Sequence, residues 1–272
     1  MLMKDATRTK FNDICTILSG KSVLVAFSGG VDSTVLAHIS KECASDIALL
    51  TVVSPTVPES ELLGARIVAG ELGLELKEEP INWLEESNLS ENLVDRCYTC
   101  KKALADRWLE HAKSIGYDMV IEGTTATETE GYRPGLAALE ESGVDSPYLQ
   151  VGITKAEIRE YARENNLSIA EKPSMACLAT RFPYGTEITH ERLTMVATVE
   201  EAVQDIFGVE CVRARYHGDL VRVEVGVDEL SKMFEPEKLQ LLDVAAKDAG
   251  FTYVTLDLQG YRTGAMDESL ST

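Results

Sequence analysis

Short apolar runs alternate with stretches of helical spacing through the first two thirds of the chain. Residues 5–19 carry Phe11, Ile14, Ile17 and Leu18 on one helical face. Residues 22–27 (SVLVAF) are apolar and rich in valine, the pattern of a buried parallel strand. Gly29-Gly30 breaks that run, and helical spacing returns over 31–43. The pattern then predicts a strand over 47–53, a helix over 59–72, and a polar strand over 75–79. A helix over 104–114, a buried strand over 118–122 ending at Gly123, and an amphipathic helix over 155–166 follow. This alternation predicts an α/β fold, a parallel sheet with helices on both faces.

The pattern changes after residue 185. A helix over 189–207 precedes two strands, 210–216 and 220–227, joined by the turn His217-Gly218-Asp219. A helix over 228–249 and a strand over 251–258 complete an α+β order with a hairpin. The chain therefore divides into a domain over 1–180 and a small α+β substrate or oligomerisation domain over 186–272. Lys172-Pro173 and Phe182-Pro183-Tyr184-Gly185 form the loops between them.

The apolar fraction of 44% and charged fraction of 26% are those of a folded globular chain. The formal net charge of -19 disfavours nucleic acid and anionic membrane as partners. No run is long and apolar enough for a membrane helix, and the N-terminus does not resemble a signal peptide, so a cytoplasmic location is expected. The six cysteines should then be thiols, metal ligands or catalytic groups rather than disulfides.

Ser28-Gly29-Gly30-Val31-Asp32-Ser33 lies between a predicted strand and a predicted helix. Backbone amides in a glycine turn and at a helix N-terminus make a concave anion site. No GxxxxGK[ST] is present, which excludes the Walker loop. The alternative is a plain glycine turn with capping serines. Ser54, Gly123-Thr124 and Lys155 fall where an ATP pocket in an open α/β sheet would sit, although each alone also reads as ordinary loop chemistry. The six residues resemble the SGG-x-DS loop of N-type ATP pyrophosphatases, which release AMP and pyrophosphate. The resemblance implies ATP, and Mg²⁺ held with the help of Asp32.

Cys97 and Cys100 have the spacing that lets two thiolates grip one metal or cluster. A zinc knuckle or two buried thiols are the other readings. Cys15, Cys43 and Cys211 sit among apolar neighbours and read as small core residues. Period-two alternation puts Arg213 and Arg215 on one strand face, with Arg222 on the partner strand. Arginine's planar fork suits phosphate, and a solvated face is the alternative.

Arg96-Cys97-Tyr98-Thr99-Cys100-Lys101, Gly131-Tyr132-Arg133-Pro134-Gly135, residues 173–185 with Ala176-Cys177-Leu178-Ala179-Thr180-Arg181, and Gly260-Tyr261-Arg262-Thr263-Gly264 complete the pattern. Together with the phosphate loop they resemble the LarE family of ATP-dependent sacrificial sulfur transferases over nearly the whole chain. Gly123-Thr124-Thr125-Ala126-Thr127-Glu128 departs from the Gly-Thr-Asn-Ala-Asp-Asp expected there. The resemblance implies adenylation of the carboxylates of pyridinium-3,5-biscarboxylic acid mononucleotide and their conversion to thiocarboxylates. That chemistry serves the nickel-pincer cofactor of lactate racemase, and a downstream nickel-inserting enzyme and a homo-oligomeric state go with it. Cys177 matches the sulfur-bearing cysteine. In some relatives three cysteines, here Cys97, Cys100 and Cys177, hold a [4Fe–4S] cluster whose open iron carries the sulfide. The substrate phosphate would fall to Arg213, Arg215 and a glutamate at Glu200 or Glu201, with Arg181 a further cation. Amide-forming or tRNA-thiolating ATP pyrophosphatases and a nucleotide-sensing module are the competing readings; the chain shows no glutaminase domain for the first and its acidic balance argues against tRNA, while the sensing module leaves Cys177 and the CxxC unexplained.

Overall fold

The computed structural model describes residues 3–85, 89–129, 134–173 and 177–262. It divides into two compact units, one of residues 1–54, 59–81 and 95–175, the other of 55–58, 82–94 and 176–272.

In the first unit the order is α1 (Asp5–Leu18), β1 (Ser22–Ala26), α2 (Val31–Cys43), β2 (Asp46–Val53), α3 (Glu59–Glu71) and β3 (Leu76–Pro80). Then come α4 (Arg96–Ser114), β4 (Met119–Ile121), α5 (Pro134–Ser142), α6 (Pro147–Gln150) and α7 (Lys155–Glu164). The strands form a parallel sheet in the order β3-β2-β1-β4. Alternation along β1 feeds two cores. Val23 and Val25 pack with α1, α2, α3 and α7, while Leu24 packs with Trp108 of α4 and Leu139 of α5. The sheet is thus covered on both faces, which is why β1 reads as continuously apolar. The chain leaves β1 for β2 and β3 on one side and returns to β4 on the other. The carboxyl ends of β1 and β4 therefore flank a topological switch point, where open α/β sheets bind ligands.

The second unit holds α8 (His190–Phe207), β5 (Val212–His217), β6 (Leu220–Val225), α9 (Pro236–Asp248) and β7 (Tyr253–Leu256). β5 and β6 are the expected antiparallel hairpin, and β7 adds parallel to β6. Leu193, Val196, Val199 and Val203 of α8 are buried, as are Val221 and Val223 of β6.

Three expectations change. The helix expected from 104 begins at Arg96, so Cys97 and Cys100 occupy its first turn. The single helix expected over 228–249 is a 3₁₀ segment, Val227–Met233, followed by α9. Pro236, which has no amide hydrogen to continue a helix, starts a new one instead. Cys15 and Cys43, expected as separate core thiols, form a disulfide, because α1 and α2 pack side by side and bring their Cα atoms to 5.1 Å.

Candidate functional site

The phosphate loop takes its shape from its glycines. Gly29 adopts φ +68°, and a Cβ there would lie 2.5 Å from the Cα of Ala65 on α3. Only glycine meets both conditions. Gly30 is the N-cap of α2 and makes no side-chain cap bond, so the first-turn amides of α2 are not claimed by a cap. The serines bind the loop to itself. The Ser28 amide donates to Ser33 Oγ at 3.2 Å, the two hydroxyls are 3.1 Å apart, and the Gly30 amide donates to Ser28 Oγ at 3.3 Å.

Asp32 stands in the first turn, and Lys155 Nζ of α7 donates to its Oδ2. Thr154 and Glu157 cap α7 reciprocally, which fixes where Lys155 starts the helix. Burial would raise the Glu157 carboxyl, but bonds from Lys10 and Thr154 bring it below its ordinary value. Beneath the loop, the Tyr148 hydroxyl donates to the Asp32 carbonyl at 3.0 Å, and burial pushes that phenol well up. Gly123 closes the other wall. A Cβ on it would meet Asp32 Cβ at 3.1 Å and the Ser33 amide nitrogen at 3.3 Å. Ser28, Gly29, Gly30, Asp32, Ser33, Gly123 and Lys155 are therefore brought together, with Ser54 buried at the carboxyl end of neighbouring β2.

Sequence reasoning missed two contributors. Glu122, buried at the end of β4, accepts from Ser146 Oγ and from the amide and hydroxyl of Thr124 at 3.1 and 2.7 Å, and so holds the 122–124 turn. Lys172 donates to the Gly29 carbonyl at 3.3 Å and to Glu61 at 2.9 Å. An acidic residue ending an apolar strand was the available signal for the first. Nothing in spacing marked the second.

In the second unit Cys177 is exposed, and its carbonyl receives the Thr180 amide at 3.0 Å and Arg181 Nη1 at 3.3 Å. Arg181 is fully buried and grips Glu200 in a fork, with Nε and Nη2 at 2.7 and 2.8 Å. Glu200 also accepts the Ala214 amide at 2.8 Å. Glu201 points to solvent. Arg213 and Arg215 are 2% and 4% exposed, so the solvated-face reading does not hold. Arg215 stands directly opposite Arg222, and buried Glu224 accepts from both, at 2.9 and 3.1 Å. Arg213 lies over the Tyr261 ring at 4.9 Å. Burial, with the charge of Arg181, lowers the Arg213 guanidinium from its ordinary value. Arg181 thus pairs with Glu200, Arg215 and Arg222 share Glu224, and Arg222 and Arg262 both reach Asp257, at 3.7 and 3.3 Å.

Cys97 is exposed and accepts from Arg96 Nη2 at 3.7 Å, and Cys100 is half-buried one turn on. Both belong to the first unit and Cys177 to the second. Among the described residues no three His, Cys, Asp or Glu side chains gather in a metal-holding group. Gly131-Tyr132-Arg133, Ser174-Met175-Ala176 and Thr263-Gly264 of the sequence motifs lie outside the described residues.

Among the described residues no helix is long and apolar enough to cross a membrane. Residues 15–172 match the asparagine synthase family. The pyridinium-3,5-bisthiocarboxylic acid mononucleotide synthase of Lactiplantibacillus plantarum is 31% identical, over 92% of this chain and 90% of its own. An uncharacterized protein of Synechocystis sp. is 35% identical, over 91% and 92% of the two chains. The tRNA-specific 2-thiouridylase of Chlorobium luteolum is 27% identical, over only 56% of this chain and 50% of its own.

Proposed function

The chain belongs to the LarE family of PP-loop sulfur transferases, and we propose that it adenylates the carboxylates of pyridinium-3,5-biscarboxylic acid mononucleotide and converts them to thiocarboxylates. One observation carries the reading: the identity to the named synthase spans nearly the whole of both chains, whereas the match to the thiouridylase covers 56% of this one. A tRNA partner fits poorly with a net charge of -19.

The chemistry assigns a part to each unit. A carboxylate is a poor electrophile because its oxygen will not leave. One carboxylate oxygen attacks the α-phosphorus of ATP, and pyrophosphate departs into the amides of the phosphate loop. Asp32 would hold Mg²⁺, an ion that binds through one or two carboxylates and phosphate oxygens, and the ion would offset the triphosphate charge. The exposed Cys177 thiolate attacks the acyl-adenylate carbon and AMP leaves. Loss of the Cys177 α-proton then breaks its Cβ–S bond, giving the thiocarboxylate and a dehydroalanine. Arg213 and Arg215 are assigned the substrate phosphate, with Arg181 and Glu200 holding β5 beneath them.

Incubation with MgATP and the mononucleotide tests the reading. Pyrophosphate and a thiocarboxylate product are expected together. Pyrophosphate released with tRNA but not with the mononucleotide would replace it by the thiouridylase reading.

A further inference from the structure

We infer that Lys172 is a positioning residue of the phosphate loop, holding the Gly29 carbonyl turned out of the anion site. The inference rests on reading residues 28–33 as the ATP loop. The peptide between Gly29 and Gly30 is flanked by the two residues that resist a flip least, since neither carries a Cβ. A trans peptide points its carbonyl and its amide in opposite directions. Flipped, this peptide would present an oxygen where phosphate oxygens arrive, and like partial charges would meet. Lys172 Nζ opposes that, donating to the Gly29 carbonyl at 3.3 Å. On the opposite edge of the same peptide, Ser28 Oγ receives the Gly30 amide.

The lysine is itself placed from several sides. Glu61 of α3 takes its ammonium at 2.9 Å. Arg159 of α7 donates to the carbonyls of Ala170 and Lys172 at 2.5 and 2.8 Å, and the Lys172 amide closes a turn on Ile169 at 2.9 Å. One helix therefore serves both flanks of the loop, through Lys155 on Asp32 and through Arg159 on the backbone that aims Lys172. Lys172 and Glu61 are about four-fifths buried, with side chains 23% and 18% exposed, so the contact is shielded from solvent screening.

Calorimetric titration of the full chain with inorganic pyrophosphate and, separately, with AMP reads this directly. Both titrations include Mg²⁺. Lys172→Met is expected to weaken pyrophosphate binding about tenfold, the scale of one charge-assisted hydrogen bond, and to leave AMP unchanged. Lys172→Arg, which can still donate to the carbonyl, should recover most of the loss. Equal weakening of both ligands would make Lys172 a structural tie between α3 and the 165–172 segment and overturn the inference, as would no weakening. Should Lys172→Met fail to fold, Glu61→Gln leaves the lysine in place but removes its carboxylate. It is expected to weaken pyrophosphate alone, by a smaller factor, and an unchanged titration there overturns the inference. Asp32→Ala is the reference: pyrophosphate binding at full strength in that variant puts the fault in the loop reading itself.

Discussion

As proposed above, the two units would meet anions by opposite physical means. In the first, the recognition surface is backbone: amides at the start of α2, shaped by Gly29 and Gly30, with one ion pair beside them. In the second it is side chain: arginines taken out of water and held by Glu200 and Glu224. Backbone amides carry little desolvation cost because the helix end leaves them unpaired in any case. Buried guanidiniums cost several kcal/mol each unless carboxylates and carbonyls satisfy them. The first device tolerates loss of a side chain and fails in chemistry. The second is embedded in the fold and should fail in stability.

Asp32→Ala should separate the two most sharply. Pyrophosphate release is expected to vanish while the thermal midpoint stays near that of the parent, measured by a coupled phosphate assay and by calorimetry. Release at the parental rate would remove Asp32 from the site. Cys177→Ala comes next: adenylation should persist and thiocarboxylate should not form. Intact mass then reads the sulfur source. The parent is expected to lose about 34 Da, one H₂S, only once per chain, because irreversible elimination consumes Cys177. A brown anaerobic preparation of unchanged mass, bleached and inactivated by Cys97→Ser, would instead assign the sulfur to a cluster on Cys97, Cys100 and Cys177.

Glu200→Ala should lower stability by about 3–5 kcal/mol, because Arg181 is left buried without the carboxylate it grips. Urea unfolding reads this, and a loss no larger than that of Asp32→Ala would erase the contrast drawn above. Arg213→Ala should raise KM for the mononucleotide by about 1.5–3 kcal/mol equivalent and leave KM for ATP alone. Equal shifts for both substrates would detach it from substrate phosphate. The smallest effect is one of pH. Burial acts to raise Glu157, Glu229 and Asp257, yet amide and cation hydrogen bonds bring all three below their ordinary values. A depressed carboxyl contributes stability in full above the unfolded value, roughly pH 4, and loses it as pH falls through the folded one. Urea midpoints should therefore drop between about pH 5 and pH 3, and Glu157→Gln should shrink the drop.

Much of this is legible in the sequence. The phosphate loop announces itself because its glycines and serines are contiguous and sit at a strand-to-helix junction. Arg213 and Arg215 were placed on one face by strand periodicity alone. Their burial was not legible, since it depends on Glu200 and Glu224, which lie 13 and 11 residues from Arg213 in opposite directions along the chain. Lys172 escaped for the same reason: its meaning comes from Gly29, 143 residues away. The disulfide escaped because pairing Cys15 with Cys43 requires the α1–α2 packing, and composition had argued for thiols. The residues starting α4 were hidden by their polarity, Arg96-Cys97-Tyr98-Thr99-Cys100-Lys101-Lys102 showing no helical stripe.

The chain's path between its units has a consequence for its birth. Residues 55–58 and 82–94 belong with the C-terminal part, so the polypeptide crosses from one unit to the other five times. Asn92, fully buried at φ +56°, donates through its amide to the carbonyls of Phe182 and Pro183, and its own carbonyl receives the Gly185 amide. Ser90 likewise waits for Ile188, and Thr56 for Leu178. On a ribosome adding about 5–20 residues per second, these groups emerge roughly 5–20 s before their partners exist. The early straps must stay solvated through that interval, and the second unit closes around them only near the end of synthesis.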